Sequence, residues 1–314
     1  MRDLLIQSLQ LACGLPRPLR RVLSIVAGAI AWAVAGKPRR AVVANVSQVL
    51  GLSPESPLLS RLRAQLIARR IFCHCVSNYL ELFALPRLTR EEVLGRIDVR
   101  GREYFEEAAA LGRGVIVASA HLGPFEYLTC WMPARGFEMI IPVEKIGDKS
   151  FLGQMLKARL SNGVTFVPLT GLAAVRAMVR TLNNGQVVLI TADRAVEGQS
   201  AILNFFGAPA RLPLGPVDLS VMTGATLIGA FGWRNGNRDV IEYVPISLAL
   251  PEAKRGDRGA LQALLVRRLE RIISDHIDEW VVFEPIWPQP DQLPRGDGSE
   301  PATAMPNEFQ RTNS

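Results

Sequence analysis

Short apolar runs alternate with amphipathic stretches of about ten residues through the middle of this chain. The runs have the length and the β-branched content of buried strands, whereas the stretches between them follow the helical period. Strands are predicted at 114–119, 138–143, 164–168 and 186–192, and helices at 102–111, 125–132, 149–160 and 171–183. This alternation predicts an α/β fold with a mixed, largely parallel central sheet and helices on both of its faces.

The regions on either side of this alternation complete the prediction. The segment 41–86 is predicted to be helical, and a long amphipathic helix is predicted at 257–276. An Asn-Gly turn signal at 235–236 predicts that strands 225–232 and 239–245 are antiparallel neighbours. Residues 289–314 contain few large apolar side chains and are expected to form a disordered tail.

Positive charge is concentrated at the front of the chain. The protein has 314 residues and a formal net charge of +7, yet residues 1–70 alone hold 11 Lys/Arg against 2 Asp/Glu. Anionic lipid headgroups and nucleic acid are the two partners that such a segment attracts. The apolar run that interrupts the charges favours lipid, and no nucleic-acid-binding motif is present in the sequence.

That apolar run covers the 15 uncharged residues from Val22 to Gly36, with Arg20 and Arg21 before it and Lys37 after it. A bilayer-spanning helix needs about 20 apolar residues. We therefore favour a helix that lies in the membrane interface, with a short single span and an ordinary buried helix as the alternatives. The predicted organisation is a membrane-associating helical segment at 1–40, an α/β domain at 41–288 and the tail.

The four cysteines suggest no disulfide framework, so the cytoplasmic side of the plasma (inner) membrane is the expected location. The cluster Cys73-His74-Cys75 lacks the spacing of a zinc site and is not followed by a second ligand pair. No metal is therefore expected, and small core residues on a helix are the simpler interpretation.

The segment His121-Leu-Gly-Pro-Phe-Glu126 carries the strongest chemical signal in the sequence. It follows the predicted buried strand directly, and proline is favoured in the first position of a helix. With Gly123 as the cap, Glu126 is the third helical residue, from which a side chain reaches back toward the incoming chain. We predict that Glu126 orients the imidazole of His121, which then acts as a base toward a hydroxyl group.

A second group of candidates follows the later strand Val187–Thr191. Asp193 lies at the carboxyl end of that strand, where α/β sheets place their sites, and Arg194 beside it is suited to bind phosphate or to form a structural ion pair. Further candidates for substrate binding are the cations Arg211 and Lys145 and the aromatic pair Phe205 and Phe206, which would line an acyl channel or pack in the core.

Together these segments resemble the bacterial membrane acyltransferase family, which contains the lauroyl and myristoyl transferases of lipid A biosynthesis and the phosphatidylinositol mannoside acyltransferase. The resemblance covers roughly residues 20–288 and is closer to the mannoside branch at Asp193-Arg194 and Phe205-Phe206-Gly207. It rests on the order of the segments at 41–45, 78–81, 85–87, 112–115, 121–126, 192–194, 205–207, 209–211, 215–216, 276–280 and 286–287.

The resemblance implies that His121 deprotonates an acceptor hydroxyl, which attacks the thioester of an acyl-CoA or an acyl carrier protein without any further cofactor. Glu126 belongs to the family motif, and Asp193 matches an acidic position that is suited to complete a relay with His121. The sequence leaves open which of the two carboxylates contacts the ring. The implied acceptor is a glycolipid or phospholipid in a membrane, with no role for nucleic acid. Acyl chain length and the choice between the two donors stay open.

Two other functions are compatible with the same residues. A lipid hydrolase or thioesterase would use water in place of the acceptor, although the chain has no Gly-x-Ser-x-Gly nucleophile elbow. A non-catalytic membrane-binding protein would use only the basic front of the chain. Replacement of His121 distinguishes these functions, since only a binding protein would be unaffected.

Overall fold

The protein has an α/β architecture, as predicted, with a mostly parallel sheet flanked by helices. A computed structural model describes residues 12, 14–143, 164–169, 171–195, 198–236 and 238–287. The predicted helix 149–160, the tail at 289–314 and Lys145 lie outside the described residues.

The strands of the described residues are β1 Ile97–Arg100, β2 Val115–Ser119, β3 Met139–Val143, β4 Val164–Pro168, β5 Val187–Thr191, β6 Ser200–Phe205, β7 Ala208–Pro213, β8 Thr226–Asn235 and β9 Arg238–Pro245. The α-helices are α1 Arg17–Val34, α2 Gly36–Val49, α3 Leu58–Ala84, α4 Arg90–Arg96, α5 Arg102–Ala110, α6 Leu128–Trp131, α7 Leu172–Asn183, α8 Gly215–Thr223 and α9 Arg258–Asp275.

A seven-stranded sheet with the order β1-β9-β8-β2-β5-β3-β4 forms the centre of the molecule. All neighbouring strands run parallel except β8 and β9, which pair antiparallel as the Asn-Gly signal predicted. Every residue of β2 is buried, because helices cover both faces of the sheet. Ile116 and Ala118 belong to one core cluster, and Val115 and Val117 to the other, so the side chains of one strand alternate between two cores.

The helix α1 packs on α3 rather than standing apart from the domain. Arg20 contacts Glu81 near one end of the pair and Gly28 lies against Cys73 further along, so the two helices run antiparallel. A Cβ atom at Gly28 would lie 2.4 Å from the Cys73 Cα, and glycine is therefore required for this close approach. Arg17 extends the contact to the buried Asp239 of β9.

Three local features differ from the prediction. The predicted helix 125–132 is a 3-10 turn, Phe125–Tyr127, followed by the single helical turn α6. The short strand β1 has only four residues, too few for a clear alternation, and was not predicted. The hairpin β6-β7 was also not predicted, because Phe205 and Phe206 were assigned only to an acyl channel or to the core and their turn was not recognised.

The structure gives Phe205-Phe206-Gly207 a role as a hairpin turn. Phe205 pairs with Ala208, which leaves Phe206 and Gly207 as a two-residue loop, and both have positive φ angles of 50° and 76°. A two-residue loop with two positive φ angles has the backbone twist that antiparallel strands favour. Phe205 is fully buried and its ring stacks on Trp287.

Candidate active site

Two parallel neighbouring strands bring His121 and Asp193 together. The strands β2 and β5 pair in register to their last residues, Ser119 opposite Thr191. The Ala192 N–H donates to the Ser119 carbonyl at 2.8 Å, so the pairing continues one residue beyond the strands. His121 and Asp193 each follow their strand end by two residues, at the carboxyl edge where α/β sheets place their sites.

The carboxylate of Asp193 accepts three hydrogen bonds. Its Oδ1 lies 2.9 Å from His121 Nδ1, and its Oδ2 accepts from the His121 backbone N–H at 3.0 Å and from the indole Nε1 of Trp280 at 2.8 Å. An ionised carboxylate only accepts, so Nδ1 of His121 carries the proton and Nε2 is the basic nitrogen. The Asp193 side chain is completely buried, whereas 24% of the His121 side chain is exposed.

These contacts keep the carboxylate ionised. Burial alone would raise the pKa of Asp193, but the adjacent His121 ring, its backbone N–H and the Trp280 indole together hold that pKa below its usual value. A buried anion that faces a partly exposed imidazole is the arrangement that orients a general base and stabilises the imidazolium formed when it takes a proton.

The segment 279–281, hereafter the C-terminal strap, fixes the loop that carries His121. The Val281 N–H donates to the His121 carbonyl at 2.7 Å, and the Gly123 N–H donates to the Glu279 carbonyl at 2.9 Å. On the other side of the loop, the Asn78 amide of α3 donates to the Gly123 carbonyl at 2.9 Å. These positions were noted in the sequence as family segments, but nothing in their spacing indicated these contacts.

Arg234 of β8 joins the strap to α3. Its Nη1 donates to the Glu279 carboxylate at 2.8 Å and lies 3.0 Å from His74 Nδ1, and its Nη2 bonds the Asn78 side chain. The Arg234 backbone N–H also donates to Glu279, at 2.8 Å. Burial would raise the pKa of Glu279, but His74 and Arg234 bring it below its usual value.

Glu126 is buried and lines the same cavity as His121, but Asp193 is the carboxylate that bonds His121 Nδ1. The predicted cap was wrong by one residue, since Pro124 rather than Gly123 precedes the 3-10 turn. Gly123 instead has a φ of 54° and lies on β8, where a Cβ would come within 2.4 Å of the Gly232 carbonyl oxygen.

His121 lies at a cavity of about 830 Å³, within the range of about 300–1,000 Å³ that is typical of small-molecule sites. Aliphatic side chains dominate its lining. They come from β3, β5, α7, α8 and the segment after the strap, and include Ile141, Val175, Met178, Ile190, Leu219, Met222 and Val282.

The other predicted binding residues are placed differently. Arg194 lines the cavity and forms an ion pair with Glu284. Arg211 lies on β7, outside that lining, with its Nη1 3.3 Å from the Ser200 hydroxyl. Phe205 and Phe206 are also outside the cavity lining, because Phe205 is buried in the core and Phe206 forms part of the hairpin loop. Lys145 lies outside the described residues.

The thiol of Cys75 also lines the cavity. Burial raises the pKa of the Cys75 thiol to about 12, so this group stays protonated and is a poor nucleophile at neutral pH. Among the residues that the structure describes, no three His, Cys, Asp or Glu side chains are grouped to hold a metal ion. His121 is the imidazole that the described part of the lining presents, and the carboxylates of Glu126, Asp218 and Glu284 share that lining.

The family model of the bacterial lipid A biosynthesis acyltransferases matches residues 4–289. The chain is similar to the phosphatidylinositol mannoside acyltransferase of Mycobacterium tuberculosis, with 26% identity over 251 residues that cover 77% of this chain and 75% of the relative. The enzyme of the same name from Mycolicibacterium smegmatis is 24% identical over 245 residues, which cover 77% of each chain.

Proposed function

Because the chain belongs to the bacterial lipid A biosynthesis acyltransferase family and is an acyltransferase, we propose that it acylates a glycolipid hydroxyl with His121 as general base. The acyl donor is a thioester, either acyl-CoA or an acyl carrier protein. The observation that carries the proposal is the His121–Asp193 pair at the edge of a large apolar cavity. The names of the similar enzymes support a glycolipid rather than a simple phospholipid as the acceptor.

In the proposed reaction, Nε2 of His121 takes the proton of the acceptor hydroxyl while its oxygen attacks the thioester carbonyl carbon. The tetrahedral intermediate collapses with cleavage of the C–S bond, and the imidazolium returns the proton to the leaving thiolate. Asp193 stabilises the imidazolium throughout, and a positioned base of this kind contributes about 10²–10⁴ in rate. The products are the acylated lipid and the free thiol.

The cavity supplies the site for the acyl chain in this proposal. Burial of each methylene group in an apolar environment is favourable by about 0.8 kcal/mol. A cavity of about 830 Å³ with an aliphatic lining therefore provides most of the binding energy for a long chain. Arg194, on the same lining, is placed to bind a phosphate of the donor or acceptor in exchange for Glu284.

A membrane location is supported by an exposed apolar surface on α1 and α3, hereafter the N-terminal apolar stripe. It consists of Val22, Ile25, Val26, Ile30 and Val34 on α1 and of Leu58, Leu59, Leu62 and Leu66 on α3. Since the two helices run antiparallel, the end of α1 comes level with the part of α3 near Leu66. Lys37, Arg40, Arg61, Arg63, Arg69 and Arg70 are exposed on the same helices and the adjoining α2.

This surface favours binding in the membrane interface, with the basic side chains on anionic headgroups. Within the described residues, no single helix combines the length and the apolar composition that a bilayer span requires. The pair α1 and α2 meets the criterion only jointly, and the two helices are bent by 102° relative to each other. We propose the cytoplasmic face of the inner membrane as the location.

The test is acyl transfer by purified His121→Ala enzyme, with labelled acyl-CoA or acyl carrier protein and a mannosylated phospholipid in vesicles. The variant should lose at least about 10²-fold in kcat while it still binds vesicles. His276→Ala is the matched control, because His276 stacks on Trp233 outside the cavity lining. Acyl transfer by the His121→Ala variant at the wild-type rate would refute the proposal. Release of free fatty acid without transfer by the wild-type enzyme would support the hydrolase alternative instead.

A further inference from the structure

The indole of Trp280 contacts the acidic member of the catalytic pair directly. Its Nε1 donates to Oδ2 of Asp193 at 2.8 Å, and the ring is almost completely buried, with 1% of the residue exposed. Oδ2 also accepts the His121 backbone N–H, so the indole and this N–H together leave Oδ1 to face the imidazole. Its sequence position gave no indication of this contact.

The backbone on both sides of Trp280 bonds the loop of the base. Glu279 accepts from Gly123 and Val281 donates to His121, while Leu122 and Trp280 form an antiparallel bridge. The strap is itself fixed by the bonds of Glu279 to Arg234. One short segment therefore positions the imidazole through its backbone and the carboxylate through its side chain.

We propose that Trp280 is a positioning residue that holds Asp193 in the orientation and charge state that His121 needs as a base. The inference rests on the proposed function and adds a third member to the pair. The indole touches neither substrate nor reacting atoms, so it acts only through Asp193. The indole N–H also affects the protonation of the pair. With a neutral imidazole the His121–Asp193 pair has a net charge of −1, and with a protonated imidazole its net charge is 0. An N–H donor stabilises the negatively charged form more.

Loss of this donor should therefore raise the apparent pKa of the His121–Asp193 pair. The acid limb of the kcat/KM profile should move to higher pH, because the lost donor stabilised the pair with the neutral imidazole more than the protonated pair. Other charged groups near the pair stay in place in such a variant. On the cavity lining they are Glu126, Arg194, Asp218 and Glu284, and behind the strap they are Glu279, Arg234 and His74.

The test compares Trp280→Phe with Trp287→Phe. Trp287 also donates an indole hydrogen bond, at 3.0 Å to the Phe205 carbonyl, and lies in the same segment of the chain without contact to Asp193. We expect Trp280→Phe to lower kcat about tenfold or more with little change in KM and to move the acid limb upward. We expect Trp287→Phe to leave the acid limb at the wild-type pH.

Combination with Asp193→Asn shows whether Trp280 acts through the carboxylate. In the Asp193→Asn background, Trp280→Phe should cost little further activity, because the group that it positions is already gone. Full additivity of the two losses, or a Trp280→Phe enzyme with the wild-type acid limb, would overturn the inference. Such results would leave the proposed function intact as long as His121→Ala remains inactive.

A measurement on the wild-type enzyme is independent of whether Trp280→Phe folds. With ¹⁵N-labelled tryptophan, one of the five indole N–H signals should titrate with the midpoint of the kinetic acid limb. The reason is that the Trp280 proton lies on the carboxylate of the titrating pair. If no indole signal follows that midpoint, the inference is wrong.

Discussion

Replacement of Asp193 by asparagine tests the geometry of the His121–Asp193 pair most directly. The structure gives the carboxylate three donors, namely the His121 ring, the His121 backbone N–H and the Trp280 indole. An asparagine of the same shape has one acceptor oxygen and one NH₂ group, which can only donate. The NH₂ group must therefore replace one of the two acceptors, either Oδ1 or Oδ2, with a donor.

Toward Oδ2, the NH₂ group would face the N–H groups of both His121 and Trp280, so two hydrogen bonds would be replaced by repulsion. Toward Oδ1, it would face only His121 Nδ1, which must then accept a hydrogen bond from the amide instead of donating one. The second orientation costs less, and it shifts the imidazole proton to Nε2. The base is then blocked, in the same way that the corresponding change in the serine-protease triad lowers kcat about 10⁴-fold.

We expect Asp193→Asn to lower kcat about 10³–10⁴-fold, with KM for both substrates nearly unchanged. The assay is steady-state acyl transfer over a range of pH, with circular dichroism and thermal unfolding as checks on the fold. Asp98→Asn is the matched control, since it neutralises a partly exposed carboxylate on β1 that pairs with Arg100. A folded Asp193→Asn enzyme within tenfold of the wild-type kcat would refute the tautomer argument.

Three further predictions concern stability, chain length and membrane binding. Arg17→Met should cost about 3 kcal/mol in the free energy of unfolding at pH 7, because it removes the ion pair of the buried Asp239 carboxylate and leaves this group only the attraction of nearby charges such as Arg234. Burial already raises the pKa of Asp239, so the loss of stability should shrink as the pH falls toward about 4 and Asp239 is protonated. Adding Asp239→Asn to Arg17→Met should restore part of the lost stability. Denaturant unfolding at pH 7 and at about pH 4 tests whether the loss is smaller at the lower pH. Met178→Trp narrows the cavity, so the variant should favour shorter acyl chains when it is given a mixture of donors. The kcat/KM for a long-chain donor should fall about fourfold for each methylene group that no longer fits. An unchanged product distribution would place the acyl chain elsewhere. Leu59→Glu puts a charge on the N-terminal apolar stripe and should weaken co-sedimentation with anionic vesicles, while Leu111→Glu on another exposed surface should not; equal binding by both variants would contradict the assignment of this surface.

The period of apolar positions was sufficient to predict the architecture. The strands at 115–119, 164–168 and 187–191 lie within one residue of their predicted bounds. The first and last of these are central strands buried on both faces, which leave continuous apolar runs in the sequence. The Asn-Gly turn likewise predicted the one antiparallel pair of the sheet, since its backbone angles select a tight hairpin. Both signals depend only on residues that are close together in the sequence.

The sequence also indicated the two residues that meet at the sheet edge, but not how they are held. His121 and Asp193 each follow a strand end, and that position is readable without coordinates. Their contact depends on β2 and β5 being neighbours in register, although 72 residues separate the two side chains. Glu126 was the nearer carboxylate along the chain, yet Asp193 is the carboxylate that bonds Nδ1 of the ring.

What the sequence determined by itself was the set of elements and the chemistry that their ends carry, because hydrophobic period and turn preference act over a few residues. The tertiary structure decided which partners those ends have. The indole of Trp280 and the bond of Glu279 to Arg234 join parts of the chain that are 45 to 87 residues apart. Such contacts depend on how the sheet and the helices pack as a whole, and no local pattern records them.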